Sequence, residues 1–375
     1  MIYLDYNATT PIDPVVAETM LPFIHDNFGN PSSSHELGRT AKAAVEKARE
    51  QVAALLGAKP SEIVFTSGGS ESNNTVIKGV AHTFRDKGNH IITSQIEHPA
   101  VLNPCRFLER NGYEVTYLPV DRYGSVDPVD VQKALTDKTI IVTIMHANNE
   151  TGTIQPIRAI ADICRKAGVL FHTDAAQSVG KIPTMVDELG VDFLTVAGHK
   201  LYAPKGIGAL YSRNGITIEP LIHGAGHESG RRAGTENVIF EVGLGKACEI
   251  ADALRDDHSI KNLTDRFYRD LKSLFGDRVK LNGHPEERLP NTLFISFIGY
   301  ALADVQQALT DVAISTGSAC HSGQTTLSPV LAAMGVKAEE VAATIRFSLG
   351  RYTTQSDIES VLNNLSRLTI NVSNH

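Results

Sequence analysis

Two segments of this sequence place a lysine and an aspartate where they could act on a carbonyl compound. Val196-Ala-Gly-His-Lys200 follows an apolar run and ends on a lysine, and Phe171-His-Thr-Asp174 ends an earlier run on an aspartate. A lysine amine can attack a carbonyl carbon, and a carboxylate can keep the nitrogen of a bound heterocycle protonated. Taken singly, Lys200 could equally be a solvated surface charge and Asp174 a helix N-cap.

A turn rich in glycine and serine supplies a third component. Thr66-Ser-Gly-Gly-Ser70 follows another apolar run and precedes a helical pattern. Glycines let the backbone approach an anion, and free N–H groups at a helix start can bind a phosphate. A lysine for a Schiff base, an aspartate for a pyridine nitrogen and a phosphate turn are the protein components that pyridoxal 5'-phosphate (PLP) requires. The combination predicts a PLP site.

Two further polar segments follow strand-like runs. They are Ile96-Glu-His98 and His146-Ala-Asn-Asn149. A histidine in this position could stack on a ligand ring or move a proton, although a lone histidine is more often structural. Because parallel strands end at one edge of a sheet, we expect these side chains to converge with Asp174 and Lys200.

The runs that precede these segments indicate an α/β domain. They are continuous, rich in β-branched residues and separated by segments of helical length, which is typical of a mostly parallel sheet covered on both faces. Ligands bind such sheets beyond the carboxyl ends of the strands. The predicted strands are residues 62–66, 90–94, 114–118, 139–145, 169–173, 193–196 and 208–211.

The rest of the chain predicts a smaller α+β domain. We predict that residues 15–245 form the large PLP-binding domain, and that residues 1–14 and 246–375 form the small one. The glycine-rich segment 222–237 is too polar for a core and is expected to be a functional loop. The elements predicted after it are a helical stretch over about 240–275, strands over 292–297 and 312–315, and helices over 303–309 and from about 356.

Composition excludes several classes of protein. The chain has 375 residues, of which 42% are hydrophobic, and a formal net charge of −7. Its basic residues are spread along the chain, so we expect no direct binding of nucleic acid. The N-terminus does not resemble a signal peptide and no apolar run reaches about 18 residues, which predicts a cytoplasmic protein that does not bind membranes. The four cysteines form no C-x-x-C pair, which argues against a zinc site or a disulfide framework.

Together these motifs resemble those of the cysteine desulfurases, PLP-dependent transferases with the aspartate aminotransferase-like fold of the class V aminotransferases. The resemblance covers essentially the whole chain. The segments that carry it are Tyr3-Leu-Asp-Tyr-Asn-Ala-Thr-Thr-Pro11, Gly29-Asn-Pro-Ser-Ser33, Glu97-His98, His146-Ala-Asn-Asn-Glu150-Thr-Gly152, Asp174-Ala-Ala-Gln177, Gly198-His-Lys200 and Arg346-Phe-Ser-Leu-Gly350.

The resemblance implies a role for each residue of the cofactor site. Lys200 would form the Schiff base with PLP, and Asp174 would pair with the pyridine nitrogen. Gln177 would contact the phenolic oxygen, and His98 would stack on the ring and move protons. Further cofactor contacts would come from Gly69, Ser70, Asn149, Ala197 and His199, and from Thr235 of a second subunit. The last of these contacts implies a homodimer.

The resemblance also implies a substrate site and a nucleophile. Asn30, Asn149 and Arg346 would hold the amino acid, and an arginine suits this because its planar fork pairs bidentately with a carboxylate. Cys320 would attack the sulfur of L-cysteine, leaving L-alanine and a persulfide. That persulfide would go to a sulfur-acceptor or iron–sulfur scaffold protein, for iron–sulfur clusters, thio-cofactors or tRNA thiolation. No metal site is expected, apart from Cys320 as a transient iron–sulfur ligand.

Cys320 lies in a sequence that predicts mobility. Residues 315–329 are rich in glycine, serine and threonine and stand between a predicted strand and a helix, which is typical of a mobile loop. By resemblance, this places the chain with the desulfurases that have a longer cysteine loop. The other three cysteines, Cys105, Cys164 and Cys248, lie within helical patterns and are predicted to be buried.

Some positions leave alternatives open. Ala197 stands where a serine is common in the family, and Gly69-Ser70 where Ala-Thr is common, so the affinity for PLP is not fixed by the resemblance. The segments around Cys320 and Lys200 are also similar to selenocysteine lyases, which share the fold and cofactor. An ordinary aminotransferase would not need Cys320, and a non-catalytic sulfur-transfer scaffold would not need Lys200.

Overall fold

The computed structural model describes residues 1–321, 324–337, 340 and 342–368, with residues 318–321 and 324–326 described by their backbone alone. Its helices are α1 (Pro14–His25), α2 (Glu36–Leu56), α3 (Gly69–Thr83), α4 (Pro99–Glu109), α5 (Pro128–Ala134), α6 (Ile157–Ala167), α7 (Val186–Leu189), α8 (Val238–Ala253), α9 (Ser259–Phe275), α10 (Leu302–Ala308), α11 (Pro329–Ala333) and α12 (Gln355–Leu365). Its strands are β1 (Ile2–Tyr3), β2 (Ile63–Thr66), β3 (His90–Ser94), β4 (Glu114–Leu118), β5 (Thr139–Thr143), β6 (Leu170–Asp174), β7 (Phe193–Ala197), β8 (Gly208–Ser212), β9 (Val279–Leu281), β10 (Thr292–Phe297), β11 (Val312–Ala313), β12 (Ser315–Thr316), β13 (Ser318–His321), β14 (Gln324–Leu327) and β15 (Thr344–Ser348).

Seven strands form one sheet in the order β2-β8-β7-β6-β5-β3-β4. The pairings from β7 through β6, β5 and β3 to β4 are parallel, whereas β8 is antiparallel to both β7 and β2. The neighbouring residues Ile91 and Ile92 of β3 point to opposite faces of the sheet and belong to two different hydrophobic clusters. Both faces of the sheet are therefore covered. The mostly parallel α/β sheet expected from the sequence is therefore confirmed.

A second sheet is antiparallel and has the order β12-β15-β10-β9. Its core contains Phe267 and Leu271 of α9, Phe347 of β15 and Val361 of α12. The N-terminal strand β1 pairs in parallel with β11 beside this sheet. Asp5 forms a bridge to Ser348 at the end of β15, so the first residues of the chain are packed against its last third.

Three predicted elements differ in the structure. The helical stretch over 240–275 is two helices, α8 and α9, separated by residues 254–258; at the start of α9 the Ser259 backbone N–H donates to Asp257 Oδ1 (2.8 Å). The strand over 312–315 is two short strands, β11 and β12, in different sheets. Residues 315–329 were expected to be a loop, but β13 and β14 pair there as an antiparallel hairpin.

Helix starts set the positions of several polar residues near the sheet edge. His98 caps α4: its Nδ1 accepts a hydrogen bond from the Ala100 backbone N–H (3.1 Å), and Pro99 occupies the first turn, where no amide donor is needed. Gly68 precedes α3 with φ of 141°, a conformation that favours glycine. None of the helices in the described part of the chain has the length and apolar character to cross a bilayer.

Candidate active site

A cavity of about 400 Å³ opens at the carboxyl edge of the large sheet. Asp174 is the last residue of β6, and Lys200 ends the short turn that follows β7. Arg346 comes from β15 of the second sheet. The predicted residues that line the cavity are Gly69, Ser70, His98, Asn149, Asp174, Gln177, Ala197, His199, Lys200 and Arg346.

Asp174 is a buried carboxylate with neutral partners. It is 7% exposed, its Oδ2 accepts a hydrogen bond from Asn73 Nδ2 (2.7 Å), and its Oδ1 accepts one from the Ala176 backbone N–H (3.0 Å). No lysine, arginine or histidine of the described residues forms a salt bridge with it. A buried carboxylate normally needs a cationic partner, so the site suits a ligand that brings a protonated nitrogen.

Lys200 points its amine at the N-terminal segment. Its Nζ donates to the backbone carbonyls of Asn7 and Ala8, the second at 2.8 Å. Burial and the Arg346 charge lower the pKa of Lys200, Asp5 and Asp174 raise it, and the net value is about 8. The neutral, nucleophilic amine is therefore far better populated near neutral pH than in an ordinary lysine.

Two histidines at the cavity are held as neutral rings. Burial lowers the pKa of His98; the Asp174 charge acts against this and the Lys200 charge adds to it, with a net lowering. Burial and the charges of Lys200 and Lys205 lower the pKa of His199 to about 4. The His199 ring also lies 3.2 Å from the Thr9 hydroxyl. A neutral imidazole can accept a proton, which is what a general base requires.

The start of α3 lines an adjoining cavity of about 380 Å³, together with Ser67, Gly68, His199 and Lys205. Gly69 and Ser70 are shared between the two cavities. The first N–H groups of an α-helix lack intrahelical partners and favour anions. This end of the cavity is suited to a phosphate group.

Arg346 is already engaged by the protein. Its Nη2 forms an ion pair with Asp5 Oδ1 (2.8 Å) and donates to the Ser315 hydroxyl, and its Nη1 donates to the Asn149 carbonyl (2.9 Å). In the described part of the chain its buried Nε has no hydrogen-bond partner. The ion pair orients the guanidinium at the cavity wall, where a carboxylate would meet it.

Three predicted residues lie elsewhere or outside the description. Asn30 and Thr235 are exposed and do not line the cavity of their own chain. Cys320 belongs to β13, but its side chain lies outside the described residues. Cys105, Cys164 and Cys248 are buried in helices, as predicted.

Several residues that build the site were not predicted from the sequence. Asn7 is 1% exposed and lines the cavity, and Asn73 holds Asp174. The Glu97 carboxyl accepts from the Met145 backbone N–H (3.0 Å to each oxygen) and so ties the end of β3 to the segment after β5. Complete burial raises the pKa of Glu97 to about 8. Asn7 and Glu97 lie in recognised motifs, but no spacing rule relates them to their distant partners.

The fold and this cavity define a known class of protein. Residues 2–361 match the family described as "Aminotransferase class-V". The chain belongs to this family, which is PLP-dependent.

Among the relatives are cysteine desulfurases. The chain is 52% identical over 98% of its length to "Cysteine desulfurase IscS" of Dictyoglomus turgidum, of which the match covers 94%. It is 48% identical to the Klebsiella pneumoniae protein of that name, with 96% of this chain and 91% of that protein covered. A solved structure titled "NifS-like protein" has a TM-score of 0.91 at 39% identity, covering 97% of this chain and 98% of the other. Another, "SspA in complex with cysteine", has a TM-score of 0.84 at 39% identity, covering 94% and 100%.

The residues of the cavity fit PLP. A buried carboxylate that pairs with no cation of the described residues, an amine with a lowered pKa and the start of helix α3 all line the cavity of about 400 Å³. These three features suit, respectively, a protonated pyridine nitrogen, an aldehyde and a phosphate.

Proposed function

We propose that this chain is a PLP-dependent cysteine desulfurase that converts L-cysteine to L-alanine and carries the sulfur as a persulfide on Cys320. The observation that carries the proposal is the placement of Lys200, Asp174 and Arg346 around one cavity. The identity of 52% to a cysteine desulfurase over nearly the whole chain supports it.

Within this function, Lys200 holds PLP covalently and Asp174 keeps the pyridine nitrogen protonated. When bound, PLP supplies an electron sink for the bonds around the substrate α-carbon. With PLP bound, the Lys200 amine and His98 would move protons at the substrate α-carbon. Gln177 would donate to the phenolic oxygen.

The phosphate would be held by the start of α3, with further contacts from His199 and the Ala197 backbone N–H, and Asn149 would contact another part of the cofactor. We further propose that Thr235 of a second copy completes the phosphate end of the site, which makes the enzyme a homodimer. Asn30 and Asn149 hold the substrate with Arg346, whose guanidinium faces the substrate carboxylate.

The sulfur step is a displacement by the Cys320 thiolate. Its sulfur attacks the substrate sulfur, so an S–S bond forms as the carbon–sulfur bond breaks. The electron pair of the broken bond stays with carbon, which takes up a proton equal to the one lost by the thiol. The products are alanine and a Cys320 persulfide. A thiol of the sulfur-acceptor protein would attack the outer sulfur of that persulfide, so a new S–S bond forms on the acceptor as the old one breaks and the Cys320 thiol is regenerated.

The test is anaerobic incubation with L-cysteine, followed by measurement of alanine and of the mass of each cysteine peptide. We expect one added sulfur on the Cys320 peptide, in amounts equal to alanine, and none on the peptides of the buried Cys105, Cys164 and Cys248. Cys320→Ser should lose desulfuration and keep the visible absorbance of bound PLP. Normal turnover by this variant would overturn the assignment.

The Cys320→Ser variant also distinguishes a cysteine desulfurase from a selenocysteine lyase. A selenocysteine lyase need not depend on Cys320, so turnover of selenocysteine by Cys320→Ser, with loss of cysteine turnover, would assign lyase chemistry to the same site. A purified chain that gains no visible absorbance with PLP would favour a scaffold role.

The proposal also covers the destination of the sulfur, the partner protein and the cellular location. We propose iron–sulfur cluster assembly as the destination of the sulfur, a scaffold or acceptor protein as the partner, and the cytoplasm as the location. The division into domains at residues 14 and 245 stays a prediction, which limited proteolysis would test.

A further inference from the structure

A second lysine amine lies next to the cavity, and the proposed reaction gives it no role. Lys181 lies in the turn that follows β6, four residues after Gln177. Its Nζ donates to Gln177 Oε1 (3.1 Å) and to Asn7 Oδ1 (3.2 Å). Both acceptors belong to residues that line the cavity.

These hydrogen bonds determine which way two amide groups face. A lysine ammonium only donates, so the atoms of Gln177 and Asn7 that face Lys181 are oxygens. The other ends agree: Gln177 Nε2 donates to the Asn7 carbonyl (2.9 Å), and Asn7 Nδ2 donates to the Thr292 hydroxyl (2.9 Å) and the Asn149 carbonyl (3.3 Å). Each amide is therefore held from both sides in one orientation.

The backbone of the turn is specialised for this contact. Gly180, directly before Lys181, has φ of 74°, and a Cβ there would lie 2.1 Å from Leu201 Cδ1 and 3.1 Å from Ala251 Cβ. Only glycine fits both the conformation and the space. The turn brings Lys181 back toward Gln177, and the Lys181 backbone N–H is bound to the Ser178 carbonyl (2.9 Å).

The charge surroundings of this amine are unfavourable. Burial, together with the positive charges of Lys200 and Arg346, lowers the pKa of Lys181 to about 7. No carboxylate among the described residues forms a salt bridge with Lys181; Asp5 and Asp174 act on Lys200. An amine placed beside two cations without a carboxylate partner stabilises the fold poorly, which favours a functional reason for it.

We propose that Lys181 is a positioning residue of the cofactor site, which holds Gln177 Oε1 so that the amide presents Nε2 to the cavity. The proposal rests on the proposed function, in which Gln177 faces the phenolic oxygen of PLP. A donor at that place stabilises a phenolate, whereas an amide oxygen would repel it. Without Lys181, the amide can turn and the donor is lost for part of the time.

The test is a pH titration of the visible absorption of the PLP-bound enzyme. Lys181→Met has a similar length but cannot donate, and Lys181→Arg keeps the donors and the charge. We expect Lys181→Met to raise the midpoint of the titration by about one pH unit. Loss of the donor and loss of the cation both favour the protonated form of the bound PLP chromophore. Lys181→Arg should restore the wild-type midpoint, and Lys166→Met, on the exposed side of α6, should leave it unchanged.

A double variant distinguishes positioning from a direct effect of charge. The shift caused by Lys181→Met should shrink when Gln177 is already alanine, because the two residues act as a unit. A full-sized shift in that background, or a wild-type midpoint in Lys181→Met, would overturn the proposal. If Lys181→Met does not fold by circular dichroism, Lys181→Leu, which likewise cannot donate, takes its place with the same expected direction. Failure of the proposed function would show separately, as wild-type protein without bound PLP or sulfur transfer.

Discussion

At the scale of single residues, the reactivity of Lys200 comes from its position between opposing charges. Burial and Arg346 favour the neutral amine, while Asp5 and Asp174 favour the charged one. Since only the neutral amine attacks an aldehyde, the rate at which the apoprotein takes up PLP should follow the titration of this one group.

That rate should rise with pH and level off above about 8, whereas a lysine with the ordinary value of 10.5 would go on gaining reactivity. Stopped-flow absorbance at saturating PLP measures it. Arg346→Met should move the midpoint upward, because a cation is lost, and Asp174→Asn should move it downward, because an anion is lost. Shifts of the same sign in both variants would contradict this account.

Some of the site residues could be recognised in the sequence because each lies at the end of a strand or a few residues after it. Asp174, Lys200 and His98 are of this kind, and the structure brings them to one cavity. The contacts that hold the site are different. Arg346 pairs with Asp5 across 341 positions of the chain, and Gln177 meets the carbonyl of Asn7 across 170. Pairings at such separations depend on how the sheets pack, which no local pattern records.

At the scale of elements, the ends of each strand of the large sheet were predicted to within two residues, because continuous runs of β-branched residues are typical of buried parallel strands. The hairpin of β13 and β14 was missed. Its residues are small and polar, and a two-stranded hairpin without a strong apolar alternation looks like a loop in sequence. The hairpin is closed at its base, where the Ser328 backbone N–H donates to the Gly317 carbonyl (3.2 Å).

Gly317→Ala should displace the closed end of the β13–β14 hairpin. A Cβ at Gly317 would lie 2.8 Å from Phe294 Cζ and 3.0 Å from Thr344 Cβ. We expect a loss of about 1–3 kcal/mol in the free energy of unfolding and slower persulfide formation on Cys320. PLP uptake should be unchanged, since the cavity is lined by other segments. Chemical denaturation and single-turnover alanine release are the measurements.

Gly226→Ala is the matched control for stability, because a Cβ at Gly226 would meet no atom of the described residues within 4 Å. Its free energy of unfolding should stay near that of the wild type. Equal stability of the two variants would mean that the contact with Phe294 does not constrain the hairpin.

At the scale of the whole molecule, the proposed contact of Thr235 with the cofactor of a second copy predicts that one chain does not complete its own site; Thr235 is exposed in the single chain. Co-expressed chains carrying Lys200→Ala and Thr235→Ala should form a mixed dimer in which one of two sites is fully wild type. That dimer should have about half of the wild-type activity, because its intact Lys200 faces an intact Thr235.

The control dimer joins a wild-type chain to a chain that carries both substitutions. Its intact Lys200 would face the altered Thr235, so its activity should fall below that of the first dimer. Equal activity of the two dimers, or a monomer in analytical ultracentrifugation, would refute the shared site.

The hydrogen bonds from Lys200 to the carbonyls of Asn7 and Ala8 have a consequence for biosynthesis. The first residues leave the ribosome first, yet Ile2 pairs with Val312, and Asp5 with Ser348. Until translation has passed these positions, the N-terminal segment has no strand to dock on and the lysine amine lacks its acceptors. Capture of the cofactor by a finished site therefore has to follow synthesis of nearly the entire chain.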